Sequence, residues 1–180
     1  MASAMAVLNE DGFAGLTTRS VASRANASVP AIYEVFGDKA GIIREVFLEG
    51  FRLLAAELAE LPPSADPIEG LEQLATGFRQ FLVRNEMLAG IMFARPFADF
   101  DPSKDEVKAG AEVRKIFVQR VKDAVAARQL QGEPTDLALV LFTFVTGMAA
   151  AENARRLGGS KQTIDRRWKL GMTALINGFR

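Results

Sequence analysis

The sequence contains no cysteine and no histidine. That removes disulfides, thiol nucleophiles, zinc sites, Ser-His-Asp triads and iron–histidine centres together. A metal would have to be held by carboxylates alone, and none is expected. Net charge is absent as well: 22 Lys and Arg balance 22 Asp and Glu over 180 residues. Without a global field, any attraction to nucleic acid must come from a local patch. There is no Glu-x-x-His pair and no phosphate-binding loop. Carboxylates such as Glu152 and Asp165 have no evident catalytic partner, so neither an enzyme nor a bound cofactor is expected. Period-two alternation is missing throughout, which removes strands. The longest apolar run, Leu137–Ala151, has fifteen residues and contains Thr143, Thr146 and Gly147. A bilayer span needs roughly 20 apolar residues, so this run reads as a core or interface helix and no membrane partner is expected. The segment Met1–Asn9 lacks a basic stretch followed by a long apolar one, so a cytoplasmic protein is expected.

What the sequence does have is helical punctuation. A first helix is expected over Ser3–Glu10, stopped at Gly12, and a second over Thr18–Ala25 with Thr17 as N-cap. A third runs over Ser28–Phe36, with Ser28 as cap and Pro30 in its first turn, where a missing N–H is harmless. Gly37 breaks the chain and Asp38 caps a long fourth helix to Leu61. Pro62–Pro67 is a loop. A fifth helix is expected over Pro67–Asn85, and a sixth over Glu86–Phe93, ending near Pro96. After a loop at Phe97–Lys104 comes a seventh over Asp105–Gln131, closed by Gly132 and Pro134. The eighth opens at Thr135 and ends at Gly158-Gly159. The ninth is capped by Ser160 and runs almost to Arg180. The expected fold is thus all-α with nine helices.

Residues 17–36 carry a mechanism. Two short helices meet at a tight turn, as a helix-turn-helix requires. Ala22 is the small residue at the crossing. Asn26 stands where the turn needs a positive φ, which asparagine tolerates next best after glycine. Val21, Ala25, Ala27, Ile32 and Phe36 supply an inner apolar face. Val29, Pro30, Ala31 and Tyr33 are left outside, free to meet a groove.

The stretch Gly12–Ala22, then Ser28–Tyr33, Phe36 and Asp38-Lys39, resembles the DNA-binding domain of the TetR family of bacterial repressors. The specific match covers about residues 6–48. The resemblance implies a helix-turn-helix domain over residues 1–46, with the first helix expected to be truncated, and a ligand-binding and dimerisation domain over 47–180. It implies that Ser28–Phe36 is the recognition helix in the major groove. Thr17, Thr18, Arg19, Tyr33 and Lys39 would touch phosphates, which fixes register without reading sequence. Base reading would fall to Val29, Pro30 and Ala31, beside the cap Ser28, with Glu34 as a further contact. These three can meet thymine methyls but make no side-chain hydrogen bonds, so direct readout should be modest and DNA shape should contribute. Residues 1–45 carry four bases (Arg19, Arg24, Lys39, Arg44) against five acids (Glu10, Asp11, Glu34, Asp38, Glu45). That is a small electrostatic footprint for DNA.

Beyond the motif, the resemblance implies a sensor. Aromatic and methionine residues cluster in helices five to nine, which can host an apolar cavity as well as a core. The expected lining is Phe81, Met92, Phe93, Phe117, Phe144, Met148 and Glu152, with Thr143, Thr146 and Asn153 as further polar groups. Helices eight and nine would form a homodimer interface. In support, Gly147, Ala150 and Ala151 permit close approach, and Leu170, Leu175, Ile176 and Phe179 are apolar. The implied function is a repressor that binds a palindromic operator in double-stranded DNA and is released by a small apolar or amphipathic effector. The other reading is a dimeric helical small-molecule-binding protein without effective DNA binding. One charge asymmetry is unassigned: residues 155–180 hold seven bases and one acid, whereas residues 57–112 hold five bases and eleven acids.

Overall fold

The computed structural model describes residues 1–94, 97 and 100–180. Among these it is all-helical, in the order α1 (Ala2–Gly15), α2 (Thr18–Arg24), α3 (Val29–Phe36), α4 (Lys39–Ala59), α5 (Pro67–Arg84), α6 (Glu86–Phe93), α7 (Lys104–Ala126), α8 (Pro134–Asn153) and α9 (Lys161–Gly178). The chain divides into two compact units. The first is Met1–Leu53 with Asn85–Ala109, the second Leu54–Arg84 with Gly110–Arg180.

In the first unit, Gly12 kinks α1 with φ 68° and ψ −171°, a conformation that only glycine adopts cheaply. Ala4, Val7 and Leu8 are the buried face of α1. The N-terminus of α2 is a complete capping box: Thr17 Oγ1 accepts from the Ser20 amide at 3.1 Å, and Ser20 Oγ accepts from the Thr17 amide at 2.9 Å. Such a cap contributes about 1 kcal/mol. Asn26 takes the left-handed turn with φ 50°. Val21, Ala22 and Ile32 are buried at 2, 2 and 6 % exposure. Ala25 and Ala27, expected on the inner face, are exposed, and Phe36 is half-buried. Ala25 is the C-cap of α2 and Ala27 lies in the turn itself, where the chain leaves the helix–helix contact. Gly37 ends α3 with φ 75°, and Asp38 Oδ1 accepts from the Gly41 amide at 2.8 Å at the start of α4. In the same unit α4 and α6 approach closely: a Cβ on Gly50 would lie 2.6 Å from Met92 Sδ.

In the second unit, α5 and α8 share the most extensive packing. Phe78, Phe117 and Phe142 form a ring cluster with centroids 5.1–5.5 Å apart. The Phe144 ring sits where a Cβ on Gly171 of α9 would be, 2.3 Å away. The Gln131 amide donates to the Phe179 carbonyl at 2.6 Å, which ties down the end of α9.

Several boundaries differ from expectation. Helix α4 ends at Ala59 rather than Leu61, and α5 at Arg84. Helix α7 stops at Ala126 instead of Gln131, because Arg128 turns left-handed (φ 58°) and buries Leu130 below it. Helix α8 opens at Pro134, capped by Glu133 rather than Thr135, and stops at Asn153. There Arg155 takes φ 54°, three residues before the expected glycine stop. The expected end of α6 near Pro96, and the Ala98-Asp99 part of the following loop, lie outside the described residues.

Candidate nucleic-acid interface

The tight turn at Asn26 and the caps at Thr17 and Ser28 set α3 on the surface of the first unit. Pro30 is exposed, Val29 and Ala31 are half-buried, and Tyr33 and Val35 are 51 and 70 % exposed. Ser28 is exposed and its Oγ accepts from the Ala31 amide at 3.3 Å. Thr18 is half-buried, and Thr17 has its hydroxyl engaged in the capping box. The result is an outward face of small apolar groups with one phenol.

The cations of this unit are unevenly available. Arg24 is taken by Glu10, its Nη1 donating to Oε2 at 2.6 Å. The guanidinium holds the Glu10 carboxyl below the usual carboxylate range, and the carboxylate raises Arg24 in turn, both chiefly through this hydrogen bond. Arg44 is turned inward. Its Nη1 donates to Glu106 Oε2 at 2.7 Å and to the Asp101 carbonyl at 3.2 Å, and its Cζ lies 5.0 Å from the Phe100 ring centroid. Glu106 is 2 % exposed, so this pair is committed to structure. Arg19 makes no ion pair among the described residues and is exposed. Lys39 Nζ rests 5.2 Å from the Phe13 ring centroid. Of the four bases in residues 1–45, Arg19 and Lys39 are thus the two without an ion pair among the described residues.

Of the seven residues expected to line a ligand pocket, two belong to the first unit and five to the second. Met92 and Phe93 lie in the first unit, beside a pocket of about 340 Å³ shared with Phe47 and Phe100. Phe81 and Phe117 are core side chains of the second unit, at 3 and 0 % exposure. Phe144 stacks on Trp168 with centroids 5.5 Å apart, and Met148 is half-buried. Only Glu152 reaches the larger groove of that unit, about 900 Å³ between α5 and α9. Of the further polar groups, Thr146 bonds within its helix to the Phe142 carbonyl at 2.8 Å. Asn153 donates to the Leu82 carbonyl at 3.2 Å, and Thr143 is exposed.

Sequence reasoning missed Arg79. It is 8 % exposed, and its Nε donates to Glu152 Oε2 at 2.8 Å and its Nη2 to Asp165 Oδ1 at 3.2 Å. Its Cζ lies 5.1 Å from the Trp168 ring centroid. The signal was positional: Arg79 stands four residues after Ala75 and three before Leu82, on the buried face of α5.

A helix-turn-helix with an exposed second helix, in a chain whose regular elements among the described residues are all helices, fits the class of helical DNA-binding regulators. The comparisons with known proteins make the class specific. Residues 1–46 match the pattern of bacterial regulatory proteins of the tetR family, and residues 71–175 match the tetracyclin repressor-like C-terminal domain. The chain belongs to the TetR family of bacterial regulators. No curated protein matches it. Among solved structures, a protein of unknown function from Rhodococcus sp. RHA1 is similar with TM-score 0.85 and 24 % identity, over 99 % of this chain and 92 % of that one. A TetR variant from Acinetobacter baumannii AYE, in complex with minocycline, has TM-score 0.67 and 22 % identity, over 99 and 92 %. The fatty acid degradation regulator FadR from Bacillus halodurans has TM-score 0.75 and 14 % identity, over 99 and 97 %. At these identities the likeness speaks for the fold. Members of the family bind DNA operators and small-molecule effectors as dimers and are generally not enzymes.

Proposed function

We propose that this protein is a homodimeric, ligand-responsive repressor that reads a palindromic operator with α3 and is released by a small apolar or amphipathic effector. The observation that carries the reading is the capped, left-handed turn at Asn26 that leaves Pro30 and Tyr33 exposed on α3. Thr17, Thr18, Arg19, Tyr33 and Lys39 hold phosphates, while Val29, Pro30 and Ala31, beside the cap Ser28, meet base edges.

Support for the dimer lies on α8. Leu139, Val140, Thr143, Gly147 and Ala150 are all exposed and share one helical face. By length and composition α8 could cross a membrane, and only 22 % of its apolar window is buried, so most of it is open to a partner. An exposed apolar strip with small residues at its centre suits a partner helix. Leu170 on α9, 71 % exposed, extends the apolar surface. An effector acts by linkage: it lowers operator affinity by as much as it prefers the state whose recognition helices are wrongly spaced. Helix α4 carries the chain from the first unit into the second and supplies a covalent route for that coupling. A repressor of this kind works in the cytoplasm, with the DNA.

The small cation count favours one other reading, a dimeric helical ligand binder without effective DNA binding. Selection of bound fragments from the source genome by the purified protein, at low and moderate salt, decides between them. An enriched inverted repeat is the expected result. Ligand binding with no enriched sequence at either salt establishes the alternative.

A further inference from the structure

The operator reading leaves the basic stretch at the end of the chain unassigned, and the structure gives it a place. The groove of about 900 Å³ between α5 and α9 lies wholly within the second unit. Val83, Trp168 and Met172 give it apolar lining, and Lys161 and Lys169 stand on its α9 side. Both lysines are exposed and neither makes an ion pair among the described residues. A shallower groove of about 530 Å³ shares these lysines and adds Arg166.

Arg79 is the unusual element. A guanidinium carries five N–H donors. Here Nε and one Nη2 hydrogen are used, on Glu152 and Asp165, while Nη1 makes no hydrogen bond among the described residues. Burying such a cluster adds little stability over apolar residues of the same size. What it provides is a fixed guanidinium edge, clamped by two carboxylates and the Trp168 ring, at the wall of a groove. Glu152 and Asp165 are turned onto Arg79, so the lysines face the groove with only Glu72 as a further acid in its lining. The charges of the lining nearly balance, but its carboxylates on Arg79 are spent there, so Lys161 and Lys169 are the cations that the half-apolar groove offers a ligand.

We infer that the α5–α9 groove binds an amphipathic organic monocarboxylate. Its apolar part lies against Val83, Trp168 and Met172, and its carboxylate is held by the free edge of Arg79 and the ammonium groups of Lys161 and Lys169. Arginine suits a planar carboxylate, and the lysines add charge without fixed geometry. The site belongs to the second unit alone and stands whether or not the protein binds DNA.

Trp168 is the single tryptophan of the chain, so its fluorescence reports on this groove. The test is titration of the full-length protein with 4-(4-iodophenyl)butanoate, whose iodine quenches tryptophan on contact, and with the matching neutral amide. Saturable quenching by the carboxylate is expected, with the amide about tenfold weaker or more. The double variant Lys161→Gln/Lys169→Gln removes only exposed charges, so it keeps the fold, and it should weaken the carboxylate by a similar factor while leaving the amide unchanged. No quenching by the acid, equal affinity for acid and amide, or an unchanged affinity in the double variant would each overturn the assignment.

Discussion

At the scale of single residues, charge decides what the DNA-binding unit can do. Four bases are visible in residues 1–45, but Arg24 is bonded to Glu10 and Arg44 to the buried Glu106. Two cations of residues 1–45 remain, four in the proposed dimer. Each phosphate neutralised contributes about −0.9 to the slope of log K against log salt, so the whole slope should be about −4. Lys39→Ala removes one contact per protomer and should flatten the slope by about 2, with affinity lost equally for all sequences; titrations at four salt concentrations measure both. Glu133 gives a second prediction. Its Oε2 accepts from the Asp136 amide at 2.9 Å, and this backbone bond is the main reason its carboxyl is held below the usual range. A carboxyl lowered in the folded state stabilises at pH values above its unfolded titration and loses that contribution as pH falls through its lowered value. Hydrogen exchange at the Asp136 amide should therefore gain on neighbouring amides as pH is lowered through the acid range, and Glu133→Gln should abolish that trend.

At the scale of elements, the caps and the turn of the helix-turn-helix were legible because local chemistry sets them: Thr17, Ser28 and Asn26 act within three residues of themselves. The C-termini of α7 and α8 were not. Their left-handed stops fall at Arg128 and Arg155, whereas sequence reasoning looks for glycine. The nearby Gly132 and Gly158 drew the boundaries too far along the chain. The ligand lining was hard to read for a different reason. Helical spacing identifies an apolar face but not which rings fill the core, and Phe117 packs against Phe78 and Phe142. Arg79 meets partners 73 and 86 residues away, which no local pattern encodes. Close packing predicts a cost at Gly171: an added methyl meets the Phe144 ring, itself stacked on Trp168. Gly171→Ala should lower unfolding stability by about 1–3 kcal/mol, measured by denaturant titration. For α3, apolar reading predicts that replacing contacted thymines by uracil weakens binding by about 0.8 kcal/mol for each lost methyl. Unchanged affinity with uracil would remove Val29, Pro30 and Ala31 from base reading.

At the scale of the whole molecule, one chain carries both a helix-turn-helix and an α8 with an exposed apolar strip that suits a partner helix. Two-fold symmetry of the proposed dimer would place two copies of α3 on two half-sites. The most direct measurement compares the affinity of the purified protein for its enriched inverted repeat with that for the same duplex after one half-site is scrambled. Specific binding exceeds non-specific binding by roughly a thousandfold or more, and a dimer that needs both half-sites should lose most of that margin, at least about a hundredfold. Equal affinity for the two duplexes would contradict the proposed reading of DNA by a symmetric pair of α3 helices.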